Sequence, residues 1–125
     1  MKPALIVVDL LRDTFENHPE SPIVQSAKAF IPRLNGLIDG FHKKSLPVVF
    51  ACDSFLPDDF IFKGKMKPHS LRGTPGAEVV EGLNRMPEDH MVPKRRFSAF
   101  FKTDLDLTLR TLGVDTVLVT VGGSP

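Results

Sequence analysis

Two rhythms of hydrophobic and polar positions run along this chain. Short continuous apolar runs occupy residues 4–8 (Ala4-Leu5-Ile6-Val7-Val8), 46–52 (Val48-Val49-Phe50-Ala51 at the centre), 90–93 and 115–121. Runs of this kind mark parallel strands covered on both faces. After the first run, apolar residues recur at Ile23, Val24, Ala27, Phe30, Ile31, Leu34, Leu37, Ile38 and Phe41, which is helical spacing. Ser21 and Pro22 read as the N-cap and first helical position, and Lys43 and Lys44 suit the negative end of the helix dipole. Pro32 breaks the pattern: its ring clashes with the carbonyl four residues back, which predicts a kink or a later helix start. Residues 13–20 read as a polar loop and residues 53–73 as a long loop containing Pro and Lys. Thr74-Pro75 opens a short helix expected to reach about Arg85. Thr103 with Asp106 three residues on resembles a capping box, Leu105, Leu109 and Leu112 form the buried stripe behind it, and Gly113 is a natural left-handed stop.

The order β-α-β-α-β-α-β predicts an α/β protein with a parallel sheet and right-handed crossovers. At 125 residues the chain is at most one domain, spanning 1–125, and small for a doubly wound sheet. Its 42% hydrophobic and 25% charged content is that of an ordinary globular protein. A net charge of +1 gives no electrostatic reason to expect nucleic acid or a membrane as partner. Lys63, Lys65 and Lys67 read as a solvated loop, with anion contact the minority reading. A single cysteine, Cys52, rules out an intramolecular disulfide and fits a reducing, cytoplasmic setting. The first apolar run is too short for a signal peptide or a membrane span.

Candidate chemistry sits at strand ends. Asp9 ends the first apolar run, Lys94 follows His90-Met91-Val92-Pro93, and ligands of open α/β sheets bind beyond the carboxyl ends of the strands. A carboxylate beside an ammonium at such a tip makes a fixed proton acceptor. The plainer readings are that Asp9 caps a turn and that Lys94 is one charge of a basic triplet with Arg95 and Arg96. Cys52 also lies near a strand end, but free cysteines are usually small buried apolar residues, and no histidine is near it in sequence. His18, His42 and His90 carry no motif and read as surface or loop residues. Phe15 and Phe55 follow strand ends and are placed to wall an apolar pocket.

Four blocks in order resemble the isochorismatase-like hydrolases, the superfamily that includes nicotinamidases and related cysteine amidases. They are the Val7-Val8-Asp9 start, His69-x-x-x-Gly73-Thr74-x-Gly76-Ala77-Glu78, Lys94-Arg95-Arg96-Phe97-Ser98-Ala99-Phe100, and the Gly113-Val114-Asp115-Thr116 entry to the last strand. The resemblance implies a three-layer Rossmann-like parallel sheet in the order 3-2-1-4. It implies that Asp9 is the general base for a cysteine thiol and that Lys94 keeps Asp9 ionised and steadies the developing anion. The family's cysteine lies beyond the strand ending at Val121, outside these residues, so the fold is expected to be incomplete at its C-terminus. Related nicotinamidases hold a divalent metal through an Asp-x-His pair and a later His. Here Asp53 and His69 match the outer ligands while Phe55 takes the middle one, so no metal and no cofactor are expected. Phe15, Phe55 and His69 are the substrate-pocket candidates that follow.

The leading functional expectation is hydrolysis of a small amide or related carbonyl compound through a thioester. Alternatives are isochorismatase-type vinyl-ether hydrolysis with Asp9 and no cysteine, and a non-catalytic binding or assembly domain. The last strand is expected to be an unprotected edge, inviting homo-oligomer formation through residues 116–121. Gly122-Gly123-Ser124 can be encoded GGG GGT AGC; read one base later, that string gives Gly-Val-Ala, the turn the family would have. A reading-frame change or premature stop, and an inactive 125-residue form, are therefore expected, and the coding DNA past codon 121 decides the point.

Overall fold

The computed structural model describes residues 1–64, 67–96 and 98–121. Expectations resting on Lys65, Phe97 and Gly122–Pro125 lie outside those residues. Four parallel strands form one sheet: β1 (Pro3–Val8), β2 (Val48–Asp53), β3 (His90–Lys94) and β4 (Thr116–Val121), in the order β3-β2-β1-β4. Three α-helices accompany them: α1 (Arg12–Asn17), α2 (Pro22–Lys43) and α3 (Leu105–Thr111).

Side-chain alternation along β1 and β2 builds two cores, one per face. Leu5, Val7, Val48, Phe50 and Cys52 point to the α2 side, where they meet Val24, Leu34 and Ile38 of α2 and Leu11 and Phe15 around α1. Ala4, Ile6, Val49, Ala51 and Val92 point the other way, onto Leu105 and Leu109 of α3. The expected three-layer α/β arrangement and strand order are what the structure shows.

Four local expectations need correction. Residues 13–20 contain helix α1, because Leu11 and Phe15, four apart, both reach the core, while Arg12 and Glu16 pair at 3.3 Å across one turn. The helix expected from Thr74 to Arg85 is a single 3₁₀ turn, Pro75–Ala77. Its backbone is used elsewhere: Arg12 N–H donates to Glu78 O (2.9 Å) and Val80 N–H to Leu10 O (2.8 Å), and Gly82 at φ 97° turns the chain out of the helical region. α2 starts at Pro22, with no late start, and stays helical through Pro32, which lies on the exposed side of the helix. The predicted stripe on α2 is also too broad, since Ile23, Phe30 and Leu37 remain partly exposed along one flank.

Candidate active site

Three strand tips place the charged residues. β2 and β3 run in register so that Asp53 pairs with Lys94, the last residue of each strand. Asp9 is the first residue past β1, and its backbone is left-handed at φ 58°. That conformation costs about 1–2 kcal/mol for a residue with a Cβ. Two hydrogen bonds hold it there: Asp9 N–H donates to Ala51 O, and Asp9 Oδ1 accepts from Asp53 N–H, both at 3.0 Å. The strained turn leaves the second carboxylate oxygen, Oδ2, 3.1 Å from Lys94 Nζ.

Lys94 is only 1% exposed, yet it lies among oxygens. Besides Asp9, its ammonium donates to Asp53 Oδ1 at 2.6 Å and to the Arg96 carbonyl at 3.1 Å. The carboxylates are wetter, 25% exposed for Asp9 and 20% for Asp53, so solvent reaches the cluster from the acid side. One cation between two anions cannot neutralise both. Burial, and then the charge of Asp9, push the Asp53 carboxyl above the ordinary value, with Lys94 only partly offsetting them. Burial works against the Lys94 ammonium, but the Asp53 hydrogen bond and the charges of both aspartates outweigh it and raise its pKa. The result is a buried, permanently charged lysine flanked by two carboxylates of unlike environment, a layout suited to moving a proton and holding a developing anion.

The other sequence candidates are distributed differently. Cys52 neighbours Asp53 in sequence but faces the α2 core; burial first, then Asp9 and Asp53, push its thiol up to about 12. Such a thiol is protonated at neutral pH and is no nucleophile. Phe15 lies in the same α2-side core, 5% exposed. Phe55 is buried and packs edge-to-face on Phe62 (5.4 Å between centroids) and His69 (5.8 Å). His69 Nδ1 lies 3.3 Å from Ser70 Oγ. With an aromatic ring against His69, and no group of three His, Cys, Asp or Glu side chains arranged for an ion among the described residues, the donor set does not fit a divalent metal.

Sequence reasoning missed three contributors. Asp53 enters the sequence reading only as a match to an outer metal ligand, although its place at the tip of the strand beside Lys94 is a usable signal. Asp59, 2% exposed, accepts from Leu56 N–H at 2.8 Å and clamps Arg95 with both carboxylate oxygens, tying the loop after β2 to the segment after β3. Asp13 accepts from Ser70 N–H at 2.7 Å and lies where a Cβ on Gly76 would be, 2.2 Å from Oδ2. The glycine of the His69–Glu78 block is thus needed for a close approach.

Comparison with known proteins agrees with this fold. The model of the isochorismatase domain matches residues 3–122. The uncharacterized isochorismatase family protein YwoC of Bacillus subtilis is 31% identical over 123 residues, 94% of this chain and 61% of its own length. A probable inactive nicotinamidase of Arabidopsis thaliana is 33% identical over 126 residues, 93% of this chain and 63% of its own length. The crystal structure of N-carbamoylsarcosine amidase from Thermoplasma acidophilum superposes with a TM-score of 0.83 at 32% identity, covering 97% of this chain and 68% of that one. The chain spans about three fifths of the length of the curated relatives it matches. It belongs to the isochorismatase family of hydrolases.

Proposed function

We propose that the protein is a hydrolase of a small amide or related carbonyl compound, with Asp9 as general base and Lys94 as the cation that holds Asp9 in place and steadies the anion formed on attack. The observation that carries this reading is the Lys94 ammonium, buried between Asp9 at 3.1 Å and Asp53 at 2.6 Å, at the carboxyl ends of three parallel strands. The amidase among the structural relatives supports the substrate class. The chemistry needs a thiolate, and Cys52 is excluded by its burial, its raised pKa and its orientation toward the α2 core. The nucleophile therefore comes from a cysteine outside these 125 residues, and the 125-residue chain alone is inactive.

Asp9 Oδ2 takes the thiol proton as sulfur attacks the carbonyl and returns it to the departing amine; water then releases the acid. Lys94 carries its charge throughout, because both aspartates favour the ammonium. Asp53 positions Lys94 through their 2.6 Å contact. A second reading, vinyl-ether hydrolysis with Asp9 and no thiol, is favoured by one feature: the Asp9 side chain is 25% exposed at the strand tips, open to a substrate without any cysteine. The exposed β4 strand, with Val117, Leu118 and Val119 at 42%, 44% and 50%, supports pairing with a second copy of the chain.

Ammonia release from a panel of small amides tests the proposal. Activity is expected only in a form carrying a further cysteine, and Asp9→Asn or Lys94→Met should abolish it. Hydrolysis by the 125-residue chain that disappears in Cys52→Ala would contradict it.

A further inference from the structure

Beside the charged cluster, but outside it, lies a cavity of about 170 Å³ lined by Arg72, Pro93, Arg95, Arg96, Phe101 and Lys102. Four of these six residues are cations and none is an acid. Arg72 is held by its Nε–H to Ser54 Oγ (3.0 Å), and Ser54 N–H is fixed on the Lys94 carbonyl (2.8 Å). Arg96 donates to the Arg95 carbonyl at 2.9 Å. Lys102 has a left-handed backbone, φ 54°, and its ammonium stands 6.0 Å from the centroid of Phe101. One carboxylate, Asp59, serves Arg95 directly and Arg96 at 4.0 Å, with Asp58 acting on Arg95 from further away. Among the described residues, Arg72 and Lys102 have no carboxylate within ion-pair distance.

We infer that this cavity is a binding site for a phosphate-class dianion. Cations gathered around one space repel each other, and two of the four lack an internal counter-ion, so a bound anion is the group that completes the site. Guanidinium forks match tetrahedral oxyanions in pairs of parallel hydrogen bonds, and the Lys102 ammonium adds a point charge. Size narrows the class: sites for drug-sized ligands run from about 300 to 1,000 Å³, so this one takes a single head group. The strained backbone of Lys102 fits a residue aimed at a ligand, since such strain concentrates at ligand clamps. This assignment is independent of the thiol chemistry: it concerns charges beyond the β3 tip, and among the described residues no ion pair joins any of the four cations to Asp9.

Titration of the 125-residue chain with inorganic phosphate, followed by calorimetry or ³¹P line width at constant ionic strength, tests it. Saturable binding is expected at one site, weakened roughly tenfold or more by Lys102→Gln and by Arg96→Gln. Lys102→Arg should retain it, and Arg110→Gln, which removes a distant exposed charge on α3, should leave it unchanged. A phosphate monoester binding more tightly than inorganic phosphate would assign the site to a phosphorylated molecule, and the reverse order to free phosphate. Absence of saturable phosphate binding, or equal weakening by Arg110→Gln and Lys102→Gln, would overturn the inference.

Discussion

The tips of β1, β2 and β3 and the length of β4 pose opposite problems. At the tips, charge is buried and answered: Lys94 has two carboxylates and a carbonyl, and among the described residues no buried side-chain nitrogen or oxygen lacks a partner. Along β4, apolar side chains are exposed: Val117, Leu118 and Val119 keep 42–50% of their surface, and among the described residues the strand pairs with β1 alone. Buried charge has to be matched by atoms a few ångströms away, so the tips are self-contained. Apolar surface needs only coverage, from whatever lies beside it. The charged centre and the hydrophobic closure of the sheet are therefore separable, and mutations should act on them independently.

The largest effect expected is at the tips. Lys94→Met leaves Asp9 and Asp53 facing each other across an apolar chain, and loss of one partner of a buried ion pair costs about 3–5 kcal/mol. Urea unfolding at neutral pH would measure it. Next comes Gly76→Ala, whose Cβ would meet the Asp13 carboxylate at 2.2 Å and drive it off Ser70. Forcing such a contact costs about 1–3 kcal/mol. Faster hydrogen exchange at the Ser70 amide should accompany it, while exchange in β4 stays unchanged.

On the β4 side, Val117→Lys with Val119→Lys should weaken self-association roughly tenfold, about 1.4 kcal/mol, with little change in the unfolding midpoint of the monomer. Sedimentation velocity across a concentration series checks it; a wild-type chain monomeric throughout the series would remove the self-pairing reading.

The smallest effect is a pH slope. Arg95 holds Asp59 down to about 2, against an ordinary 3.8, so Asp59 contributes stability above about pH 4 that is lost as pH falls toward 2. Asp53 has the opposite sign in a different window: its carboxyl is raised above 3.8, so its contribution is present below pH 3.8 and is lost as pH rises above that value. Asp59→Asn should flatten the acid limb of stability below about pH 4, and Asp53→Asn should remove the decline above it.

How much of this could be read from sequence follows from the range of each interaction. The four strands and α2 were legible because continuous apolar runs and helical spacing are local signals. The strand order, like the pairing of Asp9 with Lys94, was carried by the resemblance rather than by the pattern. α1 was missed because two buried residues, Leu11 and Phe15, are too few for a periodicity. The helix expected after Thr74 failed because residues 78–80 give their backbone hydrogen bonds to residues 10–12, nearly seventy positions away in the chain. Asp59 was illegible as an ion-pair partner for the same reason: its arginine, Arg95, comes from the segment after β3. Cys52 was read correctly from general behaviour, and alternation on β2 supplies the cause, sending Cys52 and Asp53 to opposite faces.

The central claim is that Lys94 and Asp53, with Asp9, form one coupled unit at the strand tips. A double-mutant cycle on Lys94→Met and Asp53→Asn, read by urea unfolding at neutral pH, addresses it most directly. The account predicts a coupling of about 1–3 kcal/mol, with Asp53→Asn costing far less in the Lys94→Met background than in the wild type. Additivity within about 0.5 kcal/mol would contradict it.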